Sequence, residues 1–251
     1  MCRMTRGVLG ACGLAVALCL ACPPIEAAII VQDDFNDGYI NPALWETWTR
    51  GAVVVDEIAG EAYTAASFAS DTHSSASFHS TPLFGGDLDV SVEFRAPTQL
   101  SSADTSHFGL MAWSEGDHPA VHRVGIRRQR DTVNGNRYWF WWYDATDGSS
   151  AFPATVYSDD LSGAYRITRE GDLFRCYYES AGSWVELGSV SHFSDPARFV
   201  FYALTDYSKP SVEVYWDNFQ ATADWVVPEP ATAILFGTAA AAVLRRKKRR
   251  T

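Results

Sequence analysis

From Ile29 onward the chain alternates apolar and polar residues with a period of two, and no stretch settles into the 3.6-residue period of a helix. Leu88-Asp89-Val90-Ser91-Val92-Glu93-Phe94-Arg95 shows the pattern. In an extended strand Val90, Val92 and Phe94 fall on one side and Asp89, Ser91 and Glu93 on the other. Ser211-Val212-Glu213-Val214-Tyr215-Trp216-Asp217 alternates again. Phe199-Val200-Phe201-Tyr202-Ala203-Leu204 is apolar on both sides, as a strand in mid-sheet requires. Further strands are predicted over 30–35, 61–68, 76–80, 107–114, 121–129, 137–143, 164–169, 173–179 and 183–187. Asn134-Gly135 and Arg169-Glu170-Gly171-Asp172 read as tight hairpin turns. Many short strands without helices predict an all-β, two-sheet antiparallel sandwich over residues 28–225.

Both ends read as delivery segments. Arg3 and Arg6 precede an apolar run from Gly7 to Leu20, which breaks at Pro23-Pro24. Ile25-Glu26-Ala27 then offers a cleavage site, so residues 1–27 are predicted to be a secretory signal peptide. That segment holds Cys2, Cys12, Cys19 and Cys22 and leaves Cys176 alone. One thiol forms no internal disulfide, so the core must hold the fold. Cys176 alternates with Phe174 and Tyr178 and is expected to be buried and inert.

Residues 226–251 form a second such segment. Pro228-Glu229-Pro230 can continue neither strand nor helix. Ala231 to Leu244 is an uncharged run that spans about 21 Å as a helix, short of the roughly 30 Å of a bilayer core. A short transmembrane helix there would keep the basic block Arg245 to Arg250 in the cytoplasm and the domain outside. Between the two ends, residues 28–227 carry twelve basic side chains against 28 acidic ones, a net of −16, with Lys209 the only lysine. Such a surface excludes nucleic acid and anionic lipid headgroups, and suits neutral sugars, divalent cations or plain solubility.

The order of a Pro-Glu-Pro break, an apolar run and a terminal Arg/Lys cluster resembles the PEP-CTERM sorting signal, with Pro228, Glu229, Pro230, Arg245 and Arg246 as its motif residues. That resemblance implies export by a Gram-negative bacterium and an exosortase-type processing enzyme as partner. It also implies transient inner-membrane anchoring by the C-terminus and a final place at the cell surface, beside exopolysaccharide. The opening DDFNDGYINPALWETW, the stretch GDLDVSVEFRAP and the closing VEVYWDNF resemble concanavalin A-like lectin/glucanase domains. This implies a jelly roll over about 31–222, with the first strand beside the last and Phe35 and Phe219 in one core.

Glucanases of that fold carry a Glu-x-Asp-x-x-Glu strand whose glutamates act as nucleophile and acid/base. No such pattern occurs here, nor a Ser nucleophile elbow, nor a phosphate-binding glycine loop. Asp89 and Glu93 read as a solvated strand face. His118 and His122 are separated by Pro119 and are not expected to converge on zinc. Asp33, Asp34, Asp37 and Asp217 offer hard oxygen ligands where the chain ends meet, a set that suits a structural Ca²⁺.

In Arg137-Tyr138-Trp139-Phe140-Trp141-Trp142-Tyr143, alternation puts Tyr138, Phe140 and Trp142 on one face and Trp139, Trp141 and Tyr143 on the other. One set fills the core, and flat rings on the other can stack on sugars. His107, Trp113, Arg127 and Tyr177 are expected on neighbouring strands. The expectation is therefore a monomeric, non-catalytic surface protein, binding polysaccharide or belonging to the extracellular matrix, with no catalytic residues. A glycoside hydrolase or lyase of the same fold is the alternative, and a purely structural surface protein a third.

Overall fold

The computed structural model describes residues 29–67, 74–97, 106–115, 121–131, 135–205 and 211–227. The predicted signal peptide, the predicted C-terminal helix and the five predicted sorting residues from Pro228 to Arg246 lie outside them.

The described residues form fifteen antiparallel strands: β1 (Ile29–Asp33), β2 (Trp45–Arg50), β3 (Ala52–Ile58), β4 (Glu61–Ser67), β5 (Ser74–Ser80), β6 (Leu83–Arg95), β7 (His107–Ser114), β8 (Arg123–Asp131), β9 (Gly135–Tyr143), β10 (Ser150–Tyr157), β11 (Ser162–Glu170), β12 (Leu173–Ser180), β13 (Ser183–Ser191), β14 (Ala197–Thr205) and β15 (Val212–Val227). They stack in two layers. The first sheet runs β10-β9-β8-β7-β14-β5-β2. The second runs β13-β12-β11-β6-β15-β4-β3, with β1 also on β15. One bridge, Ala197 to Phe84, links the layers through β14 and β6. This is the predicted all-β antiparallel sandwich.

Every predicted strand is present. Three that alternation did not flag are β2, β3 and β10, and all three close a sheet edge. An edge strand buries little: of β2 only Trp45 is buried, and β10 has no buried residue. β10 even contains Pro153, tolerated because the strand bulges between Ala151 and Ala154 at the edge.

Aromatic rings fill the space between the layers. Phe201 on β14 lies 5.3 Å from Trp216 on β15, Phe94 on β6 lies 5.2 Å from Phe108 on β7, and Tyr138 on β9 stacks at 4.7 Å on Tyr178 of β12. The buried Trp216 donates its indole N–H to Thr64 Oγ1 at 2.8 Å, so the largest core ring leaves no orphan donor. The chain ends meet as expected. β1 pairs with β15 with Asp33 opposite Phe219, and Trp45 lies within 5.6 Å of Phe35 and 4.8 Å of Phe219. Cys176 is fully buried, and burial pushes its thiol far up.

Candidate functional site on the outer face of the first sheet

Antiparallel register fixes which residues share a face. Val124 and Ile126 of β8, Phe108 and Leu110 of β7, and Phe199 and Phe201 of β14 point into the core. Their neighbours therefore point outward and align in rows. One row reads Arg198, Trp113, Arg123, Tyr143. The next reads Glu46, His79, Val200, Met111, Gly125, Trp141. A third reads Trp48, Ser77, Tyr202, Gly109, Arg127, Trp139, and a fourth Arg50, Ser75, Leu204, His107, Gln129, Arg137. Met111, Trp141, Val200 and Tyr202 form a small apolar cluster separate from the main core, with Trp113 and Tyr143 packed on it.

Two glycines make this floor possible. A Cβ on Gly109 would sit 2.3 Å from the carbonyl oxygen of Ile126, and one on Gly125 would sit 2.9 Å from that of Leu110. Without those Cβ atoms the Arg127 side chain can reach across Gly109 to Tyr202, and the two side chains are hydrogen-bonded. Burial pushes the Tyr202 hydroxyl up to about 12, against the opposing pull of the Arg127 and Arg123 charges. The phenol is therefore buried and protonated at neutral pH. His79 is pushed down to about 4, first by burial and then by the Arg198 charge, so it is neutral there. Its Nε2 lies 2.8 Å from Ser77 Oγ.

Guanidinium groups lie against rings throughout. Arg127 is 5.3 Å from the Trp139 ring, 5.9 Å from Trp141 and 4.8 Å from Phe152. Arg137 lies 3.9 Å over Trp139. Arg123 sits 4.9 Å from Trp113 and 5.4 Å from Tyr143, and burial lowers its pKa. Such pairing holds each guanidinium plane without neutralising it.

The structure thus brings Trp139, Trp141, Tyr143, Trp113, Arg127 and His107 onto one face. Tyr177 does not join them. It lies on β12 in the second sheet, 5.6 Å from Arg166. Arg123, Arg198, His79 and Tyr202 belong to the face but were not read from sequence. For Arg123 the signal was available, since Arg123, Gly125, Arg127 and Gln129 alternate within VHRVGIRRQR. Tyr202 and His79 needed the strand order, which no local pattern reveals.

The carboxylates considered for calcium divide between two places. Asp33, Asp34 and Asp37 line one cavity together with Asn41 and Asn218. Asp217 lines another with Glu61, Glu93 and Arg95. Asp33 already accepts from Phe35 N at 3.0 Å and Trp45 Nε1 at 2.7 Å, fixing the turn that seats Trp45 in the core. Burial raises the Asp217 carboxyl, with Glu93, Glu61 and Asp34 adding to it. A convergent set that sequence did not flag is His122, Asp144 and His192, whose ligand-type atoms lie within 4.8 Å of one another. Sequence spacing paired His122 with His118 instead, and His118 lies outside the described residues. His122 Nδ1 is 3.4 Å from Asp144 Oδ1, and His192 Nε2 is 2.9 Å from the Tyr143 carbonyl oxygen.

Comparison with known proteins gives three results. The model of the PEP-CTERM protein-sorting motif matches residues 226–250. No curated protein matches over the chain. Among solved structures the domain is similar to a prokaryotic β-1,3-1,4-glucanase (lichenase) from a mouse hindgut metagenome. The TM-score is 0.58 at 11% identity, covering 78% of this chain and 99% of that one. A β-glucanase of Bacillus licheniformis gives 0.55 at 11% identity, with 78% and 98% covered. A glycoside hydrolase family protein from Mycobacterium thermorestibile gives 0.58 at 10% identity, with 77% and 100% covered.

These neighbours overturn the expectation of a domain without catalysis. That expectation rested on one missing motif, Glu-x-Asp-x-x-Glu, and a motif from one family is a narrow criterion for a fold that hosts many chemistries. The motif at the C-terminus marks export and surface sorting of the Gram-negative type, with an exosortase-type enzyme as processing partner. On fold and tail together, the chain is an antiparallel jelly-roll sandwich similar in fold to solved glucanases, and it carries a PEP-CTERM sorting motif.

Proposed function

We propose that this chain is a surface-sorted, polysaccharide-cleaving enzyme that works on the outer face of the first sheet. The observation that carries the reading is the alignment of Trp113, Trp139, Trp141 and Tyr143 with Arg127, His107 and Tyr202 on adjacent strands. Flat rings supply stacking surfaces for successive sugars, and the polar groups between them fix orientation. The TM-scores near the glucanases support a sugar-cleaving role for a face of this kind. The same sorting motif supports delivery, by transient anchoring at the C-terminus, to a place where extracellular polysaccharide is the substrate at hand.

The proton chemistry available on the face is that of Tyr202, protonated and hydrogen-bonded to Arg127, and of His107, whose ring meets Tyr202 edge-on at 5.6 Å. Glu46 adds a carboxylate to this face, paired with Arg198. These groups point to glycosidic-bond cleavage with a tyrosine donor and a histidine acceptor.

The test is incubation of the full chain with a panel of bacterial exopolysaccharides and plant glucans, followed by size-exclusion of the products. Mass spectrometry of the new ends separates addition of water from elimination. Chain shortening that Tyr202→Phe abolishes supports the reading, and a panel left intact by pure protein refutes it.

A further inference from the structure

The domain is acidic, yet its arginines are not spread evenly. Of the twelve basic side chains between residues 28 and 227, Arg50, Arg123, Arg127, Arg137 and Arg198 all occupy the outward rows of the first sheet. Of these, Arg198 pairs with Glu46 at 3.3 Å. On the second sheet the arrangement is the reverse. Arg95 pairs with Glu61, Arg166 with Asp89, and Arg175 with Glu170. Arg169 donates to the carbonyl oxygens of Gly86 and Asp195. Arginine on one side of the molecule is thus matched to carboxylates or carbonyls. On the other, Arg123, Arg127 and Arg137 lie against the rings of the aromatic rows.

Arg123 shows what this costs. It lies between Trp113 and Tyr143, and its Nε and Nη2 are buried without a hydrogen-bond acceptor. Orphan donors on a buried cation are unfavourable unless something arrives to accept from them. A sugar hydroxyl offers one neutral oxygen. A carboxylate offers two charged ones in the planar, bidentate geometry that a guanidinium fork fits. Arg127 lies two outward positions along the same strand, past Gly125 and beside the Trp139 and Trp141 rings.

We propose that the polysaccharide taken by this face is anionic, a carboxylate-bearing, polyuronate-type chain whose charged groups are read by Arg123 and Arg127 while its rings stack on Trp139 and Trp141. The inference rests on the reading above that this face takes polysaccharide. It reverses the expectation of a neutral ligand, which followed from net charge alone. The field that matters is the local one on this face, not the sum over the domain.

Affinity electrophoresis of the full chain tests it. Gels are cast with polygalacturonate, with alginate, with each polymer after chemical reduction of its carboxylates to alcohols, and with neutral mixed-linkage β-glucan. Retardation is expected on at least one acidic polymer and not on its reduced form, and to weaken as salt rises. Arg123→Gln and Arg127→Gln should each weaken it about tenfold, since each removes charge-assisted hydrogen bonds. Arg123→Lys keeps the charge and guards against misfolding; with a wild-type melting temperature it should retain part of the affinity. Equal retardation on native and reduced polymers, or on β-glucan alone, unchanged by either Gln variant but lost in Trp139→Ala, overturns the anionic assignment and leaves the polysaccharide face standing. No retardation on any polymer, with Trp139→Ala indistinguishable from wild type, overturns both.

Discussion

Trp139 and Phe140 are chain neighbours that point in opposite directions, and replacing each by alanine separates function from stability within one strand. Phe140 is fully buried in the main core, where its ring also packs over Gly188. Phe→Ala in such a site costs about 3–5 kcal/mol, from lost transfer energy plus the cavity left behind. A domain of this size shifts by roughly 2–4 °C per kcal/mol, so Phe140→Ala should melt about 10 °C early. Trp139 is half-buried, packed edge-on against Phe152 at 5.1 Å and under Arg137. Its loss removes partial burial and one cation–π contact, about 1 kcal/mol or a few degrees. Thermal melts by circular dichroism, with affinity electrophoresis on the same samples, read both effects. Trp139→Ala should fold nearly as well as wild type and lose glycan retention, while Phe140→Ala should lose stability first. If Trp139→Ala melts as early as Phe140→Ala, the ring is core and the outward face has been misassigned.

Three further outcomes follow from buried groups. His79 in the folded chain holds its proton only below about 4, whereas the unfolded chain takes one up at the ordinary value near 6.5. Stability should therefore fall as pH drops through that window, and His79→Gln should flatten that part of the profile in denaturant titrations. Thr64→Val removes the acceptor of the Trp216 indole at the centre of the core and should cost about 1–3 kcal/mol in urea unfolding, although the side-chain volume is kept. Cys176 should resist iodoacetamide in the native state and react once unfolded, read by peptide-resolved mass spectrometry, because full burial raises its thiol far above neutral pH.

The fold was largely legible because two layers of sheet demand alternation, and alternation is visible in one chain. Leu88–Arg95 and Val212–Trp216 declared their faces without reference to anything else. The strands that escaped notice, β2, β3 and β10, close the sheet edges, where packing asks little of the sequence. The aromatic half of the site was legible for the same reason as the strands, since a run such as Tyr138–Tyr143 must divide its rings between two faces. The basic half was not. Net charge averages over the surface, and it concealed five arginines on one side balanced by acids elsewhere. Nor does any local rule bring Tyr202 beside Arg127, for that contact depends on β7 lying between β14 and β8 and on Gly109 having no side chain.

The most direct test of the account is the chain length of an acidic extracellular polysaccharide after incubation with purified wild-type protein and with Tyr202→Phe. Shorter chains from wild type, and intact chains from a variant that melts at the wild-type temperature, are the result predicted here. Intact chains from both, or equal shortening by both, would contradict it.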